Sequence, residues 1–414
     1  MIRIVDGNEA KFILANRSRS NGAYEDAVRP IILAVRAERD DALLRYARQL
    51  DGLGGHPLRV SADELRAAGD GMSPEVRRAA NAAIENIREF AEAQLPRERL
   101  TEFSPGRKLG WIVRPLDAVG CYIPSGRYPL QSTLLMTAVL AQTAGVKRIC
   151  VTSPRPSTEM LGCAHLLGIE EVYRVGGAHA IAAMAFGTGT IPPVDRVVGP
   201  GNAYVATAKK LLAGEVGIDF VAGPTEILII AEDGDPKIIA ADMLAQAEHD
   251  TTARAILLTT SQSLATAVSN ELEKQVRTLP TADVAWSAVQ EGGFIAVLRN
   301  IEEAIALSNL CAPEHLSLHD LSLLSGIQNA GTVFLGPMSP ESAGDYAAGP
   351  SHVLPTGGAA RLRGGLSTAD FVKVIAVQQL SRSALEQLAP TITTLARAEG
   401  LEAHARSVEV RSVQ

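Results

Sequence analysis

The chain has 414 residues, enough for two or three domains at about 150 residues each. With 46% hydrophobic and 21% charged residues each domain can bury a core, which excludes a disordered or collagen-like chain. Lys+Arg 39 against Asp+Glu 46 gives a net charge of -7, and aromatics are only 4%, so neither a general attraction for polyanions nor a set of base-stacking platforms is present and nucleic acid is not expected as a partner.

The N-terminal MIRIVDGNEAKF places Asp6, Glu9 and Lys11 where a secretory signal needs an apolar run, and residues 1–19 read as an arm. The first hundred residues are predicted mostly helical: residues 24–50 and 74–95 carry apolar positions at three-to-four spacing, and Ser73-Pro74 supplies a cap and a first-turn proline. From about Gly110 short aliphatic runs alternate with helical segments: AVGCYI, a helix over 132–144, KRICVTS, EVYRVGG and DRVVGPG, then EILIIAED, a helix over 237–249, RAILLTTS, a helix over 262–276, FIAVLRN and TVFLG. This alternation predicts an α/β fold of two doubly wound, incomplete Rossmann-like parallel-sheet domains, with helical N- and C-terminal extensions.

The uncharged stretch over 128–146 includes Pro129, Gln131, Ser132, Thr133, Gln142 and Gly145 and is too polar to span lipid. Cys121, Cys150, Cys163 and Cys311 form no C-x-x-C pair, which fits a reducing compartment. A soluble, cytoplasmic protein with no membrane partner is expected. After Gly365 the chain is predicted to return to helices, and the Gly/Pro-rich stretch over 349–365, holding His352, reads as a functional loop.

Several chemistries lack their motifs: there is no G-x-x-x-x-G-K-[ST], no H-E-x-x-H and no G-x-S-x-G. GPGNAYVATAKK, from Gly199 to Lys210, follows a predicted strand and opens a helix capped by Asn202, a geometry suited to an anion. Tyr204 stands where the dinucleotide fingerprint has its third glycine, so the match is incomplete and, taken alone, the segment fits a plain strand-to-helix turn better. Gln246 and His249 share one helix face, Asp345 and His352 flank the Gly-rich loop, and Glu399 precedes His404 by five residues. Each pair alone also suits a structural role; together they offer nitrogen and oxygen ligands for Zn²⁺ or another borderline divalent ion. The adjacent Glu314 and His315 suit two proton-transfer groups, or a polar step at a strand start whose side chains take opposite faces. His319 reads as solvent-facing, and His56 and His165 carry no role.

Over nearly its whole length the chain resembles the histidinol dehydrogenase family. The segments that carry the resemblance are GCYIPSGRYPLQSTLLM, RVGGAHAIAAMAFGT, VVGPGNAYV, AGPTEILIIAED, DMLAQAEHD, CAPEHLSL, AGDYAAGPSHVLPTGGAAR and EGLEAHARSV. The resemblance implies a homodimeric, zinc- and NAD-dependent enzyme with one Zn²⁺ per subunit and shared active sites, oxidising the amino alcohol L-histidinol through the aldehyde to L-histidine with two NAD. By motif match, Gln246, His249, Asp345 and His404 are the expected zinc ligands and also substrate-binding. Glu314 and His315 are the expected acid–base pair, with His315 neutral near pH 7. Thr225, Glu399 and His315 are expected to touch substrate, and Tyr122, His179 and Asn202 to contact NAD.

The implied domains are a discontinuous first α/β domain over 20–111 and 226–366 carrying zinc and the acid–base pair, a second, NAD-binding α/β domain over 112–225, and a helical, dimer-crossing tail over 367–414. His179, Ser125, Thr225 and Ser351 stand where Gln, Gly, Ser and Asn are usual in the family, which leaves the His179 contact open. The alternatives are a paralogue oxidising another small polar alcohol such as a sulfonated diol, a zinc hydrolase with Glu314 as base, and a non-catalytic paralogue.

Overall fold

The computed structural model describes residues 1–16, 24–221 and 223–412. In chain order the strands are β1 (Arg3–Asp6), β2 (Arg99–Ser104), β3 (Arg107–Pro115), β4 (Ala118–Tyr122), β5 (Arg148–Thr152), β6 (Glu171–Tyr173) and β7 (Arg196–Val198). They continue as β8 (Gly217–Ile218), β9 (Glu226–Ile230), β10 (Arg254–Thr259), β11 (Phe294–Val297), β12 (His315–Leu318), β13 (Thr332–Leu335) and β14 (Val372–Leu380).

Two wholly parallel sheets result, ordered β6-β5-β4-β7-β8 and β1-β11-β10-β9-β12-β13. In each the winding reverses once, at β4/β7 and at β9/β12, the doubly wound pattern expected from the sequence. Helices cover both faces of each sheet, and the strands are therefore aliphatic on both sides; every residue of EILII in β9 is buried. Val119, Cys121 and Val151 of the five-stranded sheet pack towards one layer, and Tyr122, Cys150 and Val197 towards the other. The six-stranded sheet divides in the same way, Ile227 and Leu257 against Leu228 and Leu258.

The local signals hold where they are strongest. Ser73 Oγ accepts from Val76 N at 3.2 Å and Pro74 opens the Pro74–Gln94 helix. Gln262–Val276 forms with the expected bounds, and the expected 132–144 and 237–249 helices run Gln131–Thr143 and Pro236–Ala247.

Three expectations are corrected. Helices in the 20–111 segment were expected with the 226–366 domain, but Glu25–Glu38 packs on Gly177–Phe186 and Ala203–Leu212, Ala62–Asp70 on Thr158–Leu166, and Pro74–Gln94 on Gln131–Thr143. Their apolar stripes complete the faces of the five-stranded sheet. The N-terminal arm is also no mere arm: β1 pairs with β11 at the edge of the six-stranded sheet, and Gly7–Ala15, capped by Asp6, packs on Ile301–Cys311. The arm's boundary at residue 19 lies outside the described residues.

The tail is not wholly helical. β14 pairs antiparallel with β3, and β3 with β2 around a turn at Gly106 (φ 76°). Helices Arg382–Ala398 and Glu402–Ser412 follow. No helix among the described residues is long and apolar enough to cross a membrane.

Candidate active site

The acid–base residues gather at the amino ends of β9 and β12. These strands are parallel neighbours with His315 opposite Ile227, so Thr225 and Glu226 on one and Glu314 and His315 on the other meet side by side. The helix after β9 returns to the same edge and delivers Gln246 in its last turn and His249 just beyond it. The short Glu341–Tyr346 helix adds Glu341 and Asp345, four residues apart and hence on one face.

Asp345 bridges two imidazoles. Its Oδ1 lies 3.6 Å from His315 Nε2 and its Oδ2 3.8 Å from His249 Nε2. Ligand atoms of His249, Glu341 and Asp345 all lie within 4.8 Å of one another, a nitrogen-and-oxygen set suited to a divalent cation. Glu314 and His315 do not take opposite faces: both are buried, with Glu314 Oε2 3.8 Å from His315 Nδ1. Alternation does not separate them because Glu314 precedes the strand.

Thr225 Oγ1 and Glu226 N donate to Glu314 Oε2 at 2.6 and 2.9 Å, which leaves the other carboxyl oxygen for chemistry. The Gln246 amide lies between Thr225 Oγ1, at 2.6 Å, and Glu341, and can close this chain in two senses. With its nitrogen on Thr225, its oxygen needs a proton on Glu341; with its nitrogen on Glu341, at 2.8 and 3.0 Å, Thr225 serves Gln246 and the proton sits on Glu314. Either way one end carboxyl is protonated. Burial does raise both, Glu314 to about 7 and Glu341 to about 8, against the pull of His315.

Burial alone would push His315 down, yet the carboxylates of Glu341, Glu314 and Asp345 outweigh it and lift the ring to about 10. The expectation of an imidazole neutral near pH 7 is therefore corrected for the cation-free cluster. His315 Nδ1 faces the Glu226 carbonyl at 3.2 Å and must donate to it, so a neutral ring carries its lone pair on Nε2, a buried atom without a hydrogen-bond partner. Asp345 itself is driven up by burial but held below the usual carboxylate range by His315.

His352 fixes the helix that carries Asp345. Its Nδ1 donates to the Asp345 carbonyl at 2.7 Å, so its Nε2 accepts from Thr133 Oγ1 at 3.0 Å. Burial lowers its pKa, consistent with this neutral tautomer. Thr133 belongs to a helix of the five-stranded sheet, and Ser351 Oγ also donates to the Met136 carbonyl at 3.3 Å, so the loop ties both sheets together at the site.

The residues expected to contact NAD lie instead at the carboxyl ends of the five-stranded sheet, around the β4/β7 reversal. Asn202 caps Ala203–Leu212, accepting from Tyr204 N and Val205 N. Tyr122 is buried and its hydroxyl accepts from Gly177 N at 3.2 Å; burial raises it to about 12. His179 is 0% exposed, and its Nε2 contacts Asp51 Oδ2 at 2.7 Å while its Nδ1 has no partner. Ser125 is nearby in a different role, accepting from Arg155 N. A buried Lys209–Asp219 pair (2.6 Å) locks the turn between strand and helix: Lys209 Nζ donates to the Gly199 carbonyl at 2.5 Å and Asp219 accepts from Gly199 N at 2.8 Å. Gly199 sits at φ 110°, where a side chain would strike the Tyr122 carbonyl.

Glu399 and His404 are not brought to the cluster within the chain. Both are exposed: Glu399 just past the end of Arg382–Ala398 and His404 in Glu402–Ser412, two helices that pack on each other, the first also on β14. Glu341 is the cluster residue that sequence reasoning did not single out; its signal is the four-residue spacing to Asp345. His319 is half-buried, not solvent-facing, with an unpartnered Nε2.

Proton-transfer groups collected at one edge of a doubly wound sheet, and helix N-termini at the reversal point of another, are the parts of an α/β enzyme. Comparison with known proteins narrows the class. The sequence profile of histidinol dehydrogenase matches residues 14–412. Histidinol dehydrogenase of Thermus thermophilus is 48% identical over 415 residues, covering 99% of this chain and 100% of the relative. The crystal structure of histidinol dehydrogenase from Elizabethkingia anophelis superposes with a TM-score of 0.94 at 37% identity, covering 99% of this chain and 98% of that one. An acetylating aldehyde dehydrogenase from Geobacillus thermoglucosidasius shares the fold alone, at TM-score 0.50 and 14% identity over 90% of this chain and 94% of that one. The chain belongs to the histidinol dehydrogenase family.

Proposed function

We propose that this chain oxidises L-histidinol through L-histidinal to L-histidine, using zinc and two NAD per turnover, as a homodimer with shared active sites. The observation that carries the proposal is the meeting of Gln246, His249 and Asp345 with Glu314 and His315 at one edge of the six-stranded sheet in a member of this family.

The donor chemistry fits a zinc ion: His249 and Asp345 already face each other, Gln246 is buried beside them, and the acidic surplus that lifts His315 is the surplus a dication would neutralise. His404 is the expected fourth ligand. The zinc, when bound, would hold the substrate's amino and imidazole nitrogens. NAD fits the β4/β7 crevice, where two helix N-termini favour its phosphates and the unpartnered Nδ1 of His179 lies beside Gly177 as an acceptor for a hydroxyl. NAD, when bound, would accept one hydride in each half-reaction.

The chain's own residues then divide the proton work. His315 Nε2 takes the alcohol proton in the first half-reaction; neutralising Asp345 and its neighbours removes what holds that nitrogen protonated. In the second, Glu314 takes a proton from the water that adds to the aldehyde, and a carboxyl near pH 7 is matched to that task. Thr225 orients Glu314 and lies against the substrate space.

Dimer formation is supported by the exposed apolar residues Leu100, Phe103, Trp111, Val374 and Ile375 on the β2–β3–β14 sheet. A tail crossing that interface would bring Glu399 and His404 to the partner's cluster. Four buried cysteines, none in a disulfide, support a cytoplasmic location.

The test is NADH formed per L-histidinol consumed, with and without a zinc chelator. Two per substrate, lost on chelation and regained with Zn²⁺, is the expected result. No NADH from histidinol with folded, zinc-supplemented protein would sink the assignment and point to another small polar alcohol.

A further inference from the structure

β12 and β13 run parallel with His315 opposite Thr332 and Ser317 opposite Phe334, so His315 and Phe334 share one sheet face on neighbouring strands. Their rings stack, with centroids 5.9 Å apart and planes 29° from parallel. Phe334 is 8% exposed, and an edge of its ring lies against the backbone of Gly344, where an added methyl would meet ring carbons at 2.7 and 3.0 Å. Gly344 immediately precedes Asp345 in the Glu341–Tyr346 helix, so one ring sits between the base and the helix that carries the carboxylate.

His315 Nε2 and Asp345 Oδ1 stand 3.6 Å apart, beyond a hydrogen bond, and Nε2 is buried without a partner. An imidazole nitrogen left unpaired beside a carboxylate gains by closing that gap, so the gap needs a cause. We propose that Phe334 is a positioning residue of the active site: its ring is the spacer that keeps His315 Nε2 out of a direct hydrogen bond with Asp345, leaving the nitrogen for substrate and the oxygen for the cation. The proposal rests on the reading of His315 as the base and Asp345 as a metal ligand. The other holds on these residues act elsewhere: the Glu226 carbonyl takes His315 Nδ1, and the His352 ring takes the Asp345 main-chain carbonyl. Each fixes one atom, whereas Phe334 bears on the imidazole face and on the backbone beside the carboxylate. Gly344 belongs to the same device, since only a residue without a side chain admits the ring.

The experiment follows full-length, zinc-loaded variants by NADH formation from L-histidinol, with zinc affinity by chelator competition and crystal structures of the metal-free chain. Phe334→Leu keeps the site apolar but removes the ring, and kcat is expected to fall about tenfold to a hundredfold. KM for L-histidinol and the zinc dissociation constant should each stay within about threefold, because the ligands themselves are intact. In the structure of that variant Nε2 and Oδ1 should close to about 2.8 Å. Phe334→Met serves should the leucine variant fail to fold, and is expected to behave alike. Gly344→Ala drives a methyl into the ring and should lower kcat similarly. Combined with Phe334→Leu, that methyl takes up part of the vacated space, so the pair should be at least about threefold more active than either single variant. Unchanged kcat in Phe334→Leu, a gap that stays open in its structure, or losses that multiply in the double variant would each overturn the proposal. So would a loss of zinc affinity as large as the loss of kcat, which would make Phe334 a packing residue of the whole cluster. A wild type that forms no NADH from L-histidinol fails the function instead, and the structures then decide the spacer.

Discussion

The two parallel sheets share one winding order but place their chemistry at opposite edges. On the five-stranded sheet Tyr122 ends β4, and Gly176 and Asn202 follow the carboxyl ends of β6 and β7, where helices begin and their N-termini favour anions. On the six-stranded sheet Thr225, Glu314 and His315 stand at the amino ends of β9 and β12, where the Pro236–Ala247 helix ends and favours a cation. The carboxyl edge at β9/β12 is unsuited to a phosphate: β9 runs into AEDGD, and Asp235 occupies the cap of the following helix. Position along a strand therefore selects the sign of the charge each site favours, and on the function proposed above one fold used twice would serve a dinucleotide and a metal without competition between them.

The largest expected effect is at the acid–base edge. His315→Asn should lower kcat by roughly 10²–10⁴-fold in steady-state NADH assays. It should leave zinc bound in metal analysis, because the expected ligands are other residues. A loss of zinc with activity would blur the division between proton transfer and cation binding.

Lys209→Met tests the opposite edge. It strands Asp219 in the core, so a destabilisation of about 3–5 kcal/mol is expected by denaturant unfolding. Where the variant remains folded, KM for NAD should rise while zinc affinity holds, since the Lys209 and Asp219 side chains bond each other, Gly199 and the Phe220 amide. A parallel fall in zinc affinity would show that the edges are coupled.

Glu314→Gln should slow the aldehyde-to-acid half-reaction more than the alcohol step, by about a hundredfold in single-turnover measurements. Equal slowing of both halves would remove the separate role given to Glu314.

How much of this is readable beforehand depends on distance along the chain. The aliphatic strands, the Asn202 cap and the place of Gln246 in the last turn of its helix are set by neighbours within a turn or two, and the sequence shows them. His249, expected on the same helix face, lies past the helix end at Ala247. The β2–β3–β14 sheet is not readable, since VKVIAVQQL has as its partner a strand far earlier in the chain, and only the Pro105-Gly106 turn hints at it. His179 matches a family contact position by motif, yet the residue that fixes its ring is Asp51, from a helical segment with no signal of its own. Glu341 is hidden for the same reason, because what groups it with His249 is the packing of one element on another.

Zinc uptake should release protons. A dication beside Glu314 and Glu341, raised to about 7 and about 8 by burial, favours their ionised forms, so affinity should climb with pH between about 6 and 8. Calorimetry in buffers of different ionisation enthalpy measures the count; no release at pH 7 would mean that the cluster's carboxyls are already ionised.

The smallest effect tests whether the cation edge carries excess negative charge before any metal arrives. Asp242 lies one turn before Gln246, and burial raises it to about 6. It also adds to the field that raises Glu341. Its folded pKa exceeds that of an unfolded aspartate, so the native state is favoured while the group is protonated, and that advantage is lost as pH rises from about 4 to about 6. Asp242→Asn should therefore stabilise the metal-free protein above about pH 6 by roughly 1–2 kcal/mol, a figure reduced for its partial exposure, and have no effect below about pH 4. With zinc bound the gain should shrink, because the cation then rewards the carboxylate that the substitution removes. A stabilisation that is the same at pH 4 and pH 7 would trace to packing, and the six-stranded sheet's edge would lose its claim to a charge stored for a cation.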